Sequence, residues 1–270
     1  MTGSWKSRRG AASHFAVALM GVAAGVGMAW GVRSRPIRDA VTTHGEWIYV
    51  KKRGQTDSVR AYVAYPERKD RAPGVVVIHE IYGLNDNIRE IADRFAVEGY
   101  AALAVDLFST AARPICMARI MNGMLVRPLE NGVVRDLRDA LDFLSARADV
   151  DGERIGAIGF CMGGTYALQL ACVGAGIKVA SLFYGMNPRP MEAVARACPL
   201  VGSYPEKDFT AGAGRKLDAA LDGYGVPHDV KIYPEARHSF FNDHGSAHHP
   251  DAAADSWQRT LAFFREHLSA

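Results

Sequence analysis

A cysteine set between glycines is the most informative feature of this sequence. Residues 159–164 (GFCMGG) follow a predicted strand and open an apolar helical run. Glycines on both sides allow a sharp turn, which exposes the Cys161 side chain at the end of the strand. The helix beginning there points its N-terminus at the sulfur and favours the thiolate, while the Met162 amide faces a developing oxyanion. This pattern predicts a cysteine nucleophile; the alternative is a buried cysteine in a tight turn.

A thiol nucleophile needs a base, and a neutral histidine is the usual one. Of the nine histidines, His238 lies on the loop after the last predicted strand. His244, His248 and His249 form a loose cluster that could hold a metal but is more typical of a solvated loop. His79 ends a predicted buried strand, which favours a structural role. We therefore predict His238 as the base.

A carboxylate is needed to hold the imidazole in one tautomer. Asp208 lies just past a predicted strand, in residues 204–208 (YPEKD). In enzymes of the α/β-hydrolase fold the order along the chain is nucleophile, acid, histidine, which matches Cys161, Asp208 and His238. Asp106 ends another predicted strand and is the alternative acid, but it precedes the nucleophile. The sequence therefore favours Asp208.

A second carboxylate, Glu80, follows the apolar run 74–79 (GVVVIH). A buried carboxylate at this position needs a partner, because desolvation destabilises its charged form. One interpretation is an ion pair with an arginine. The functional interpretation places Glu80 beside the thiol, with the Ile81 amide completing an oxyanion hole with Met162.

Strands alternate with helices from about residue 45 to the end of the chain. The predicted strands are 47–50, 59–65, 74–79, 100–107, 154–160, 179–184, 200–204 and 230–233. Predicted helices cover 88–95, 132–147, the segment after 162, 216–224 and 257–268. The first two strands alternate like an antiparallel pair, and the rest predicts an α/β fold with a mainly parallel sheet and helices on both faces. Ligands bind beyond the carboxyl ends of such strands, where the candidate residues lie.

Composition excludes several other classes of protein. With 270 residues, 49% of them apolar, and a net charge of +3, the chain is globular and fits a single core. Lysines and arginines form no stripe interleaved with aromatic residues, so nucleic acid is not an indicated partner. The remaining cysteines, 116, 172 and 198, show no metal-ligand or disulfide spacing. We expect neither a metal nor another cofactor.

The first forty residues differ from the rest of the chain. Lys6, Arg8 and Arg9 precede an uncharged run at 15–32. A basic start before an apolar stretch is typical of a signal peptide or a membrane anchor, which predicts export or tethering on the periplasmic side. The run is short, because a bilayer needs about 20 residues. The alternative is an apolar N-terminal segment in a cytoplasmic protein.

Three motifs together resemble the dienelactone hydrolase family. They are residues 78–84 (IHEIYGL), 159–164 (GFCMGG) and 237–240 (RHSF), in the order of the family. The resemblance covers about residues 45–268 and implies a catalytic domain over 45–270. It also implies an α/β-hydrolase fold, a Cys–His–Asp triad, and the opening of dienelactones to maleylacetate or hydrolysis of related esters. In the family, the glutamate matching Glu80 interacts with the resting thiol and helps to activate it.

One departure from the family concerns how a substrate is held. The best-known dienelactone hydrolases carry an arginine for the substrate carboxylate where this chain has Asn242. Their second substrate arginine is matched by Arg113 only with a displacement of a few residues. An asparagine cannot replace the two charge-assisted hydrogen bonds of an arginine. We therefore expect neutral esters or lactones to be hydrolysed at least as well as a carboxylated dienelactone. The candidate substrate-binding residues are Tyr82, Arg113, Phe240 and Asn242.

Two further hypotheses remain at the level of sequence. The same fold and nucleophile could serve a thiol acyltransferase or another cysteine hydrolase, because an acyl-enzyme does not by itself select water as acceptor. A non-catalytic, membrane-tethered binding protein is the other hypothesis. The presence of Cys161, His238 and Asp208 together argues against it.

Overall fold

A mixed sheet forms the centre of the protein in the computed structural model, which describes residues 43–68 and 70–269. The strands are β1 (Thr43–Lys51), β2 (Ser58–Pro66), β3 (Ala72–Ile78), β4 (Ala101–Val105), β5 (Val150–Phe160), β6 (Val179–Phe183), β7 (Leu200–Lys207) and β8 (His228–Arg237). Within the described residues they form one sheet of eight strands in the order β1-β2-β4-β3-β5-β6-β7-β8. β1 and β2 pair antiparallel, as do β2 and β4, and every later pairing is parallel.

Helices cover both faces of this sheet. They are α1 (Asp86–Val97), α2 (Arg113–Leu125), α3 (Gly132–Ser145), α4 (Met162–Cys172), α5 (Ala211–Tyr224) and α6 (Pro250–His267), with a 3-10 turn at Met191–Arg196. Buried side chains of α1 and α6 form the apolar core on one face, and those of α2 to α5 form the core on the other. The predicted α/β class, with a mainly parallel sheet and helices on both faces, is confirmed.

The residue types of β3 and β1 agree with their positions in the sheet. Val75, Val76 and Val77 in β3 are completely buried, because a central parallel strand is covered on both faces. By contrast, β1 lies at the edge of the sheet, and Tyr49 is 71% exposed. The predicted antiparallel start and the continuous apolar run of the third strand are both present.

Helix α2 was not predicted from the sequence. Only Cys116, Ile120 and Gly123 of this helix are buried, so it lacks the wide apolar face that identifies most helices. Its position between β4 and α3 places it beside α4, the helix that follows the candidate nucleophile. The predicted N-terminal segment 1–40 lies outside the described residues. Among those that are described, no helix has the length and apolar character needed to cross a membrane.

Four parallel strands end at the same edge of the sheet. Glu80 lies just after β3, Cys161 directly after β5, Asp208 directly after β7, and His238 directly after β8. The fold therefore brings together side chains that are up to 158 positions apart, from 80 to 238. This edge is where parallel sheets bind their ligands.

Candidate active site

The backbone at Cys161 is a strained turn between β5 and α4. Cys161 has φ 56° and ψ −117°, a conformation that residues with a side chain rarely adopt. The flanking glycines are required by close approach, because a Cβ on Gly163 would lie 2.2 Å from the Ile78 carbonyl oxygen. A Cβ on Gly159 would lie 2.0 Å from the carbonyl oxygen of Gly163. The turn therefore has the geometry of a nucleophile elbow, with the Cys161 side chain presented at the strand end.

Asp208 is the carboxylate that contacts His238. Its Oδ2 atom lies 2.8 Å from His238 Nδ1, and its side chain is 5% exposed. The hydroxyl of Thr210, at the N-terminus of α5, also donates to Oδ2 of Asp208. Asp106 instead accepts a hydrogen bond of 2.8 Å from Nη2 of Arg60. Of the two acids considered from the sequence, the structure therefore brings only Asp208 to the histidine.

The protonation of His238 reflects its two neighbours. Burial lowers the pKa of His238, but hydrogen bonds to Cys161 and Asp208 outweigh burial and raise it to about 9. These contacts place the imidazole between the thiol and the carboxylate. His238 thus bonds to Asp208 through Nδ1 and shares the cavity lining with Cys161.

Glu80 is buried beside these three residues. Its side chain accepts a hydrogen bond of 2.7 Å from the Ser239 hydroxyl, and the residue is 3% exposed. Among the described residues no arginine or lysine pairs with Glu80, so the alternative of an ion pair is not observed. Burial, followed by Glu80 and Cys161, raises the pKa of the Tyr184 hydroxyl well above its usual value. Tyr184 therefore faces both Glu80 and Cys161.

His79 has a structural role. Its Nε2 atom accepts a hydrogen bond of 3.0 Å from the Leu107 amide, and its Nδ1 atom lies 2.6 Å from the Glu80 carbonyl oxygen. Burial lowers the pKa of His79 to about 4. The neutral ring thus ties the chain after β3 to the chain after β4 and supports the position of Glu80.

The Cys161 side chain opens into a cavity of about 90 Å³ with an apolar lining. His238, Tyr184 and Ile81 contribute to its walls. Half of the lining residues contain sulfur. Five methionines among the described residues line it: Met117, Met121, Met124, Met162 and Met186. No lysine or arginine from the described part of the chain belongs to the lining.

Arg113 and Tyr82 lie in a different groove. Both line a surface depression of about 480 Å³ next to Phe108. Arg113 Nη2 donates to the Ile81 carbonyl oxygen at 2.9 Å, and its guanidinium lies 4.3 Å from the centre of the Phe108 ring. Arg113 therefore lines this depression and does not belong to the lining of the cavity at Cys161. Tyr82, at 63% exposed, points to solvent.

Phe240 and Asn242 are also outside the cavity lining. Phe240 is completely buried in the core, with its ring 5.2 Å from that of Tyr233 and 5.5 Å from that of Tyr184. Asn242 accepts a hydrogen bond of 3.0 Å from the His244 amide. Core packing accounts for Phe240, and the local turn accounts for Asn242. The structure places neither of them in the cavity where substrate contacts were expected.

Several lining residues were missed in the sequence. Met117, Met121 and Met124 are spaced i, i+4, i+7, which places them on one face of a helix. That spacing was the available signal. Phe209 was also missed; it is 74% exposed and stacks on the His238 ring at 5.3 Å and 19°.

The histidines after β8 do not converge on one point. His244 Nε2 lies 2.8 Å from Glu90 Oε2, and His249 caps α6. Within the described residues, His244, Glu90 and Asp243 are the one group whose ligand atoms approach one another closely, and all three are exposed. They lie outside the cavity lining at Cys161.

A cysteine in a tight turn after β5, a carboxylate after β7 and a histidine after β8 form the arrangement that is typical of the α/β-hydrolase fold. Comparison with known proteins narrows this class. The profile of the dienelactone hydrolase family matches residues 59–268, and the chain belongs to that family. It is accordingly a carboxylic ester hydrolase that acts on a small ester or lactone.

Individual relatives agree with this assignment. A Saccharolobus solfataricus protein assigned as a carboxymethylenebutenolidase is 33% identical over 246 residues, covering 77% of this chain and 93% of its own. A dienelactone hydrolase structure from Klebsiella pneumoniae is 27% identical, with a TM-score of 0.73 over 83% of this chain and 99% of its own. The structure of a dienelactone hydrolase-like promiscuous phosphotriesterase from metagenomic libraries is 27% identical. Its TM-score is 0.73 over 84% of this chain and 99% of its own.

Proposed function

We propose that the protein hydrolyses its ester or lactone with Cys161 as nucleophile, His238 as general base and Asp208 as the group that orients His238. The observation that carries the proposal is the convergence of these three side chains at the strand ends, where His238 bonds to Asp208 and shares the cavity lining with Cys161. The strained backbone of Cys161 supports it, because such strain is commonly stored where a side chain must be presented for chemistry.

Acylation begins with the thiol proton transferred to His238, as the raised pKa of His238 favours, and the Cys161 sulfur attacks the carbonyl carbon. The carbonyl oxygen becomes an oxyanion that accepts hydrogen bonds from the amides of Met162 and Ile81. Met162 is the first residue of α4, so its amide lies outside the hydrogen bonds of the helix. The carbon–oxygen bond of the ester then breaks, and His238 protonates the departing alkoxide.

Deacylation repeats these steps with water. His238 takes a proton from water, the water oxygen attacks the thioester carbon, and the Cys161 sulfur leaves as thiolate. Asp208 stabilises the imidazolium in both halves of the cycle and holds the ring in one tautomer. With a lactone, the alkoxide remains attached to the acyl group, so the single product is an open-chain hydroxy acid.

Glu80 completes the proposed set of catalytic residues. Its carboxylate is buried, is held by Ser239, and faces the same Tyr184 hydroxyl as Cys161 does. In this proposal Glu80 acts on the resting thiol, because both groups face the Tyr184 hydroxyl. When substrate enters the cavity, the interaction of Cys161 with His238 is favoured over its interaction with Glu80.

The test is a panel of p-nitrophenyl esters and small lactones, assayed with the wild type, Cys161→Ala and Cys198→Ala. We expect Cys161→Ala to lower kcat/KM by about 10³-fold or more, because the nucleophile is removed. Cys198→Ala is the matched control and should stay within about twofold, since Cys198 lies outside the cavity lining. Unchanged turnover by Cys161→Ala would refute the proposal.

The choice of water as acceptor is tested with the same panel. Ethanol or glycerol is added at increasing concentration, and free acid and new ester are quantified. A hydrolase yields mainly free acid at millimolar alcohol, because water is present at far higher concentration. Capture of most acyl groups by a millimolar alcohol would instead identify an acyltransferase.

A further inference from the structure

Helix α2 supplies one wall of the cavity at Cys161 through a row of methionines. Met117, Met121 and Met124 line it from successive turns, and Met162 and Met186 add two more thioethers. Methionine side chains are unbranched and polarizable, so they form an apolar surface that adapts to the shape of its ligand. None of these five residues takes part in the proposed chemistry through its side chain.

The charge of the lining restricts what can enter. Lysine and arginine are absent from the lining formed by the described residues, and the exposed wall surface is apolar. Arg113 is engaged with the Ile81 carbonyl oxygen and the Phe108 ring, in the neighbouring groove. A substrate carboxylate in the cavity would therefore lose its hydration without gaining a lysine or arginine partner, and the His238 imidazolium is already paired with Asp208, so its entry is unfavourable.

The size of the cavity restricts the length of the acyl group. A dry apolar cavity of about 150 Å³ accommodates benzene, which has six carbons. The cavity here measures about 90 Å³. In proportion it holds an acyl chain of about four carbons, and methionine rotamer changes extend it somewhat further.

We propose that this methionine-lined cavity is the acyl subsite and that it selects neutral substrates with a short apolar acyl chain. The proposal rests on the proposed function, since it assumes that the acyl group is transferred to Cys161. It goes further in naming the side chains that choose the substrate. Met121, which is 39% exposed, stands at the solvent side of the lining.

The first arm of the test measures the wild type. The kcat/KM values are compared for p-nitrophenyl acetate, butanoate, hexanoate and decanoate, and for the hydrogen adipate ester, whose chain matches hexanoate but ends in a carboxylate. Spontaneous hydrolysis is subtracted. We expect a maximum near butanoate and at least a fiftyfold preference for hexanoate over hydrogen adipate. Equal rates for hexanoate and hydrogen adipate would overturn the proposal without any variant.

The second arm introduces a cation into the wall. Met121→Arg should lower the hexanoate-to-adipate ratio at least tenfold, because the guanidinium can pair with the terminal carboxylate. Ile115→Arg is the matched control: Ile115 is on the same helix, is 62% exposed and is outside the lining, so its ratio should stay at the wild-type value. Equal ratios for the two variants, both folded by circular dichroism, would overturn the assignment of the wall.

The failure of this proposal is distinct from failure of the proposed function. If Cys161→Ala keeps full turnover, the nucleophile is wrong, whatever the acyl preference. If Cys161→Ala is inactive but the wild-type kcat/KM values do not depend on the length or charge of the acyl chain, Cys161 remains the nucleophile. In that case the proposed acyl subsite is wrong.

Discussion

The two sides of the cavity are built in different ways. On the side of the strand ends, each polar side chain has a defined partner: Asp208 bonds to His238 and Thr210, and Glu80 bonds to Ser239. On the side of α2, the wall consists of thioethers that have only packing contacts to offer. The hydrogen bonds at the strand ends hold their side-chain atoms in defined positions. Methionine side chains instead adapt their rotamers to the ligand.

This difference separates rate from selectivity. In the proposed mechanism the strand-end side carries the groups that act on the reacting atoms, so changes there should lower turnover of every ester alike. Changes on α2 alter the shape and charge of the wall, so they should change which ester is preferred. The predictions below test whether the two sides can be separated in this way.

The largest effect is expected for Asp208→Asn. Loss of the carboxylate that fixes the imidazole tautomer should lower kcat/KM by about 10³- to 10⁴-fold for all esters alike. Asp106→Asn is the control, because Asp106 pairs with Arg60 and not with His238. Kinetics on both variants, with melting temperatures to check folding, decide between the acids. A larger loss in Asp106→Asn than in Asp208→Asn would reverse the assignment.

The pH dependence follows from the same contact. Because the pKa of His238 is raised from 6.5 to about 9, the imidazolium contributes stability that is complete below about pH 6.5 and is lost as the pH rises through about 9. His238 must be protonated to release the alkoxide, so kcat/KM should fall above about pH 9. Residual activity of Asp208→Asn should decline at lower pH, since the anionic partner that raises the pKa is gone.

A smaller but selective effect is expected in thiol alkylation. Burial raises the pKa values of Cys172 and Cys198 to about 12, and Cys116 is 1% exposed. Cys161 is half-buried and contacts His238, so limiting iodoacetamide at pH 8 should modify it about tenfold or more faster than the others. Peptide mass spectrometry measures this order. Modification that begins at Cys116, Cys172 or Cys198 would contradict the assigned environment of Cys161.

The smallest effect is expected for Phe209→Ala. The exposed Phe209 ring stacks on the His238 imidazole, and such aromatic pairs contribute about 0.5–1.5 kcal/mol. Turnover should therefore fall by about two- to tenfold, with the order of preference among esters retained. A steady-state comparison of butanoate and decanoate measures both quantities. A reversal of that preference would show that Phe209 belongs functionally to the selective wall.

The strand-end side could be predicted from the sequence because its signals are local. The elbow glycines lie two residues before and after Cys161, and Asp208 and His238 each follow a predicted strand. The α2 side could not, because the helix buries only three residues and its methionines alone do not identify a cavity. Arg113 and Phe240 illustrate the limit, since their direction depends on tertiary contacts with Phe108 and Tyr233.

The most direct test of the account is to trap the acyl-enzyme. The wild type is mixed with p-nitrophenyl butanoate, quenched in acid within milliseconds, digested and analysed by mass spectrometry. The account predicts a butanoyl thioester on the peptide that contains Cys161, formed at the rate of the nitrophenol burst and absent from Cys161→Ala. A butanoyl group on another residue, or a full burst from Cys161→Ala, would contradict it.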